Sequence, residues 1–359
     1  MGHHPNLRRS STNLGVTASL LASLLAAELP APASGQGTSL TAAANDDQAI
    51  PSKAARYHTA LRRSPQPGLV FERFCDAWLA EASAQSLETY LRQQATGDDS
   101  ADALIHGFYL AREGRNVEAL QVFRATLAAH PGSAAAHYFK AQTEAATLDF
   151  DTALADLENA AAAEPGDALA ADIGELRGRL LVRVGQREQA LEVWNKLLTD
   201  RPNDLELYEN LIVIQAEEGL FEPAVATLDT LIERTNDPQK KIARQLWRGD
   251  LLQQNGQKDD ALAAYEATLH QVGSGGWLER QVLAQIEQVY RREQEISAFV
   301  KRLDELAKDH PERLELGRRR ARLLGELGRT DDAIAQWKSV LERAPGDRCL
   351  LYTSPSPRD

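Results

Sequence analysis

Residues 107–131 read GFYLAREGRNVEALQVFRATLAAHP, and their spacing decides the fold. Gly107 is followed twelve positions later by Ala119, four further on by the bulky Phe123, and eight after that by Pro131. Positions four apart share one face of a helix, so Ala119 and Phe123 offer a small and a large side chain to the same neighbour. Gly114, between Gly107 and Ala119, suits the left-handed turn after a helix end. Pro131 cannot extend a helix, because it has no amide hydrogen and its ring clashes with the preceding turn. The stretch predicts two short helices, joined at glycine and closed by proline.

The same spacing returns down the chain. Ala119, Ala153, Ala190, Ala224, Ala261, Phe299 and Ala333 form one row, and Phe123, Leu157, Trp194, Leu228, Tyr265, Leu303 and Trp337 follow it four residues on. Twelve residues ahead of the alanine row lie Gly107, Ala141, Gly178, Ile212, Gly249, Glu287 and Ala321, mostly small, as a close helix crossing requires. Gly114, Gly185, Gly219, Gly256 and Gly328 mark the turns between paired helices. Pro131, Pro165, Pro202, Pro311 and Pro345 close the pairs, with Pro238 arriving two residues late. Successive alanine-row steps are 34 or 37 residues until the skipped place at Phe299. A period of this length is the mark of a stacked helical array.

The pattern of small residue, alanine, aromatic and proline at Gly107, Ala119, Phe123 and Pro131 resembles the tetratricopeptide repeat, and Ala321, Ala333, Trp337 and Pro345 form its cleanest later copy. Seven copies are read, at 100–133, 134–167, 171–204, 205–238, 242–275, 280–313 and 314–347. The resemblance implies an all-α, right-handed superhelical solenoid of antiparallel helix pairs. It further implies that partners are bound on a concave face lined by the first, or A, helix of each pair.

The sixth copy departs most, with Glu287 and Phe299 in place of small residues and no glycine at its turn, so its helix pair is expected to splay. VGSGGW at 272–277 suggests a bend between a block of five repeats, 100–275, and a block of two, 280–347. A helical cap at 56–99 is expected to cover the first repeat through Leu69, Phe74, Trp78, Leu87 and Leu91, because a terminal repeat otherwise exposes its apolar face.

Composition agrees with helices: 43% hydrophobic, 26% charged, and only 6% aromatic. A net charge of -12 argues against generic nucleic-acid binding, which depends on a surplus of Lys and Arg. The two cysteines, Cys75 and Cys349, are too few for a disulfide framework or a metal cluster.

The two ends read differently. Residues 7–33, LRRSSTNLGVTASLLASLLAAELPAPA, have the basic start, apolar run and small-residue exit of a secretory signal peptide, so residues 1–33 are expected to direct export to a periplasmic or extracellular location. The apolar run is short of the ~20 residues of a membrane helix, and no stable span is expected in the mature chain. Residues 34–55 read as a solvated linker. At the other end, Cys349–Asp359 resembles a translated sequencing adapter, and an eighth copy would place Pro355 in mid-helix. The natural protein is therefore expected to continue past Arg348.

Projection of the A helices names a candidate partner groove: apolar at Leu104, Phe108 and Tyr138, acidic at Glu206, Glu209 and Asp250, basic at Arg291, Arg318 and Arg322. The carboxylate clamp of co-chaperone repeats is not carried over, since Arg179 is the one cation among Leu104, Phe108, Tyr138, Gln142, Glu175 and Arg179. GRRRAR at 317–322 reads as a solvated surface with its arginines splayed over several faces. No nucleophile elbow, phosphate loop or zinc motif occurs, so neither catalysis nor a cofactor is expected. Cys75 reads as a buried structural thiol. The expected function is an exported protein-binding scaffold. The alternative is the targeting or regulatory arm of a larger enzyme cut after Arg348.

Overall fold

The computed structural model describes residues 50–97 and 99–344. The expected signal peptide, residues 34–49 of the expected linker and the closing run at 349–359 lie outside the described residues. Seventeen α-helices, and no strand among the described residues, form two compact units that divide between Gly185 and Gln186.

The first unit holds α1 (Ser52–Arg63), α2 (Leu69–Leu79), α3 (Ala84–Gln94), α4 (Ser100–Arg112), α5 (Asn116–Ala129), α6 (Ala134–Ala146), α7 (Phe150–Ala162) and α8 (Asp167–Arg183). One core runs through it from Ala54 to Leu180. The cap is three helices, and α1 takes in the last residues expected to be linker, burying Ala54. Phe74, Trp78, Leu87 and Leu91 are buried, whereas Leu69, the first residue of α2, is 70% exposed. Polar contacts seat α1 on α4. His58 Nε2 lies 3.0 Å from Asp102 and His58 Nδ1 3.1 Å from the Tyr90 hydroxyl, while Arg62 pairs with Asp99 at 2.7 Å.

The second unit holds α9 (Arg187–Asp200), α10 (Leu205–Glu217), α11 (Phe221–Glu233), α12 (Pro238–Gln254), α13 (Lys258–Gln271), α14 (Trp277–Arg292), α15 (Ile296–Asp309), α16 (Leu314–Glu326) and α17 (Thr330–Arg343). A core from Leu246 to Ala333 passes straight through the 272–277 stretch, where Val272 is buried. The expected block boundary is therefore not a break in packing. Arg313 locks that loop by pairing with buried Glu279 at 3.1 Å and donating to the Val272 carbonyl at 2.8 Å, while Glu279 accepts from the Gly275 amide at 2.6 Å.

The row of small residues meets the row of bulky ones. A Cβ built on Gly107 would lie 2.3 Å from the Phe123 ring, and one on Gly249 would lie 2.3 Å from the Tyr265 ring. Phe123, Leu157, Leu228, Tyr265 and Leu303 are all buried, each contributing roughly 1.5–3 kcal/mol. The turn glycines adopt left-handed φ, and the two copies that lack one force another residue into it: Leu148 at φ 66° and Gln294 at φ 60°. In the sixth copy α14 and α15 touch over far less of their length than α4 and α5, α6 and α7, α10 and α11, α12 and α13 or α16 and α17 do, with Tyr290 stacked on Phe299 at 5.0 Å.

The longer steps in the alanine row are absorbed at the start of the A helices. α4, α6, α10 and α16 have 13 residues each, whereas α8 and α12 have 17 and α14 has 16. Three or four extra residues make about one helical turn, so the small residue keeps its angular place on the helix. Pro238, read as a late closing proline, is instead the first residue of α12, capped by the Asp237 side chain on the Gln239 and Lys240 amides. Proline fits there because a first-turn amide has no helical partner in any case.

Candidate interaction surface

In the first unit the expected apolar end of the groove is core. Leu104, Phe108 and Tyr138 are all under 9% exposed. Phe108 packs edge-on to Phe139 at 4.5 Å and against Phe71 of α2 at 6.1 Å, so large rings on consecutive A helices, with one from the cap, close that face on themselves. Burial pushes the Tyr138 hydroxyl pKa up. The same unit buries a charged group between α6 and α7: Lys140 pairs with Glu144 at 2.8 Å and with Asp156, and Asp156 also meets His137 at 2.9 Å. His106 is buried too, and burial lowers its pKa. Cys75 is buried and its thiol is pushed up to about 12 by burial, which leaves no thiolate for chemistry near neutral pH. Among the described residues no group of three or more His, Cys, Asp or Glu could hold a metal ion.

The A helices of the second unit, α10, α12, α14 and α16, carry the remaining candidate residues. Glu206 is exposed on α10. Glu209 is tied across to α12 by Arg244 Nη2 at 2.6 Å, and buried Arg244 also donates to the Thr235 hydroxyl. Asp250 faces inward and accepts from the Tyr265 hydroxyl at 2.5 Å. Burial raises the Asp250 pKa and the tyrosine bond opposes the rise. Asp250 therefore belongs to the packing of α12 on α13.

At the far end Glu287 gathers the basic residues. Its Oε1 receives Arg291 Nε at 2.9 Å; its Oε2 receives Arg319 Nη1 at 2.9 Å and Arg322 Nη2 at 2.6 Å. Arg291 also reaches Glu326 on α16 at 2.6 Å, and Arg318 lies 3.8 Å from Glu315. The GRRRAR arginines do splay, since Arg320 turns away to Asp304 at 3.2 Å and to Gln336. They are not simply solvated, because Arg319 keeps only 9% of its side chain exposed and burial lowers its pKa. The expected gradient from acidic to basic is thus a set of ion pairs between neighbouring A helices. Sequence reasoning missed Glu287 as their centre; its place in a small-residue row was the available signal.

Helix pairs repeating in one register, with a glycine under the bulky ring at Gly107–Phe123 and Gly249–Tyr265, define an α-helical repeat protein. The tetratricopeptide repeat model matches residues 107–168 and 176–240, so these residues are repeats of that kind. Several solved structures are similar to parts of the chain. A tetratricopeptide repeat protein from Parabacteroides merdae is 14% identical, with 71% of this chain and 97% of that one covered and a TM-score of 0.39. YrrB, described as a repeat protein with an unusual peptide-binding site, is 18% identical over 52% of this chain and 93% of that one, with a TM-score of 0.36. MamA from Desulfovibrio magneticus is 23% identical over 53% of this chain and 99% of that one, also at 0.36. No curated protein matches the sequence.

Proposed function

We propose that this chain is an exported scaffold that binds a partner protein along the A-helix face of its second unit. Tetratricopeptide repeats serve as protein-interaction scaffolds, and among the described residues no helix is long and apolar enough to cross a membrane. The observation that carries the reading is the contrast between the two units. Large rings shut the positions of α4 and α6 in the first, whereas Glu206, Val213, Ala284, Gln288, Arg291 and Arg322 stand exposed on α10, α14 and α16. The continuous core beneath α12 to α17 holds much of that face rigid, which lowers the entropy lost on binding. The partner segment lies across successive A helices, and the leader delivers the scaffold outside the cytoplasm.

A photoreactive amino acid placed at position 206, 284 or 322, and separately at 259 or 332 on second helices, tests the face. Discrete adducts from the first set only are expected in envelope fractions. No adduct, or equal adducts from both sets, would contradict the assignment. Sequencing the mature amino terminus tests export independently, with Ser34 expected as the first residue.

A further inference from the structure

Glu287 occupies a place where the repeat elsewhere carries Gly, Ala or Ile, and it is almost fully buried. A carboxylate there carries a desolvation cost unless cations satisfy it, and three arginines do. Their geometry leaves donors over. A guanidinium has five N–H groups. Arg291 spends Nε and Nη2 on Glu287 and Glu326, while Arg322 spends Nη2 on Glu287 and holds Nε 3.8 Å from Glu326. The Nη1 groups of both have no partner among the described residues, and both side chains are about half exposed, at 45% and 51%.

Arg291 and Arg322 are both held against Glu287 and Glu326, with Arg319 also on Glu287. Spare guanidinium donors on half-exposed side chains select an anionic acceptor, for which a carboxylate gives the best-matched pair. Guanidiniums already held by carboxylates behind them lose little further freedom when they grip another carboxylate in front.

We propose that Arg291 and Arg322, positioned by Glu287 and Glu326, are the docking point for an acidic peptide segment of the partner, their outward Nη1 groups meeting Asp or Glu carboxylates. The proposal rests on the reading of this face as the binding surface and adds the chemistry of what it takes.

Fluorescence anisotropy on the full chain tests it, with a labelled Glu-Ser decapeptide compared with Lys-Ser and Gly-Ser decapeptides. The acidic probe should bind best and weaken with salt. R291E/R322E should lower its affinity about tenfold or more and transfer the preference to the lysine probe. R291Q/R322Q, which adds no repulsion, should lose the acidic preference without gaining the other, and thermal unfolding checks that both variants fold. Binding of the acidic probe no better than Gly-Ser, or a preference unchanged in R291E/R322E, would overturn the proposal. So would a short oligonucleotide that displaces the acidic probe at equal concentration, which would assign the patch to nucleic acid. If crosslinks at 206, 284 or 322 persist while these tests fail, the scaffold reading stands and the acidic assignment falls.

Discussion

Gly249 has no room for a methyl group. Its built Cβ lies 2.3 Å from the Tyr265 ring, so Gly249→Ala must displace that ring and should cost about 1–3 kcal/mol by chemical denaturation. Leu148 behaves oppositely: left-handed and 72% exposed, it pays a backbone penalty and buries little. Leu148→Gly should therefore raise stability by roughly half a kcal/mol, after the entropy glycine adds to the unfolded chain. Asp250 gives a pH test. Burial raises its folded pKa above the unfolded value, so the charged form is a liability near neutral pH and the liability fades as pH falls through the raised pKa. Asp250→Asn keeps an acceptor for Tyr265. It should unfold at or above the wild-type temperature at pH 7, with the difference shrinking on acidification, and a lower unfolding temperature at pH 7 would contradict the burial argument.

Whole helices respond to the buried ion pairs. Glu279 is inaccessible and its partner Arg313 nearly so, hence Arg313→Ala leaves a carboxylate stranded in the core and should cost about 3–5 kcal/mol. Arg329→Ala breaks a half-exposed pair with Asp332 and should cost less than about 1 kcal/mol. Equal losses in the two variants would show that the 272–277 loop is not pinned by burial. Much at this scale was legible in the sequence, because a small residue, a turn glycine and a bulky residue at fixed offsets have few alternative readings. The exceptions have physical causes. Pro238 was ambiguous because proline suits both the first turn of a helix and the stretch after its end. Leu104, Phe108 and Tyr138 were placed in a groove because helical projection gives an angle and not the distance to the next ring. Glu287 was recognised as an anomaly, but beyond Arg291, four residues on, its other two arginines lie 32 and 35 residues away in sequence and no local pattern joins them.

For the molecule as a whole, stability should come from neighbour-on-neighbour contacts, since each repeat buries its apolar stripe only on adjacent helices. The division at Gly185 was not legible, because it falls inside the third copy, at a turn whose glycine looks like the others. Everything about which face points where depends on one register, in which the A-helix glycine receives the ring of the following helix. Gly107 and Phe123 allow that register to be measured through a double-mutant cycle, in which Gly107→Ala is made in the native background and again beside Phe123→Leu, which lacks the ring atoms nearest the new methyl. The prediction is a loss of about 1–3 kcal/mol in the first case that largely disappears in the second. An equal loss in both backgrounds would mean that Phe123 does not sit over Gly107, and the register would be wrong.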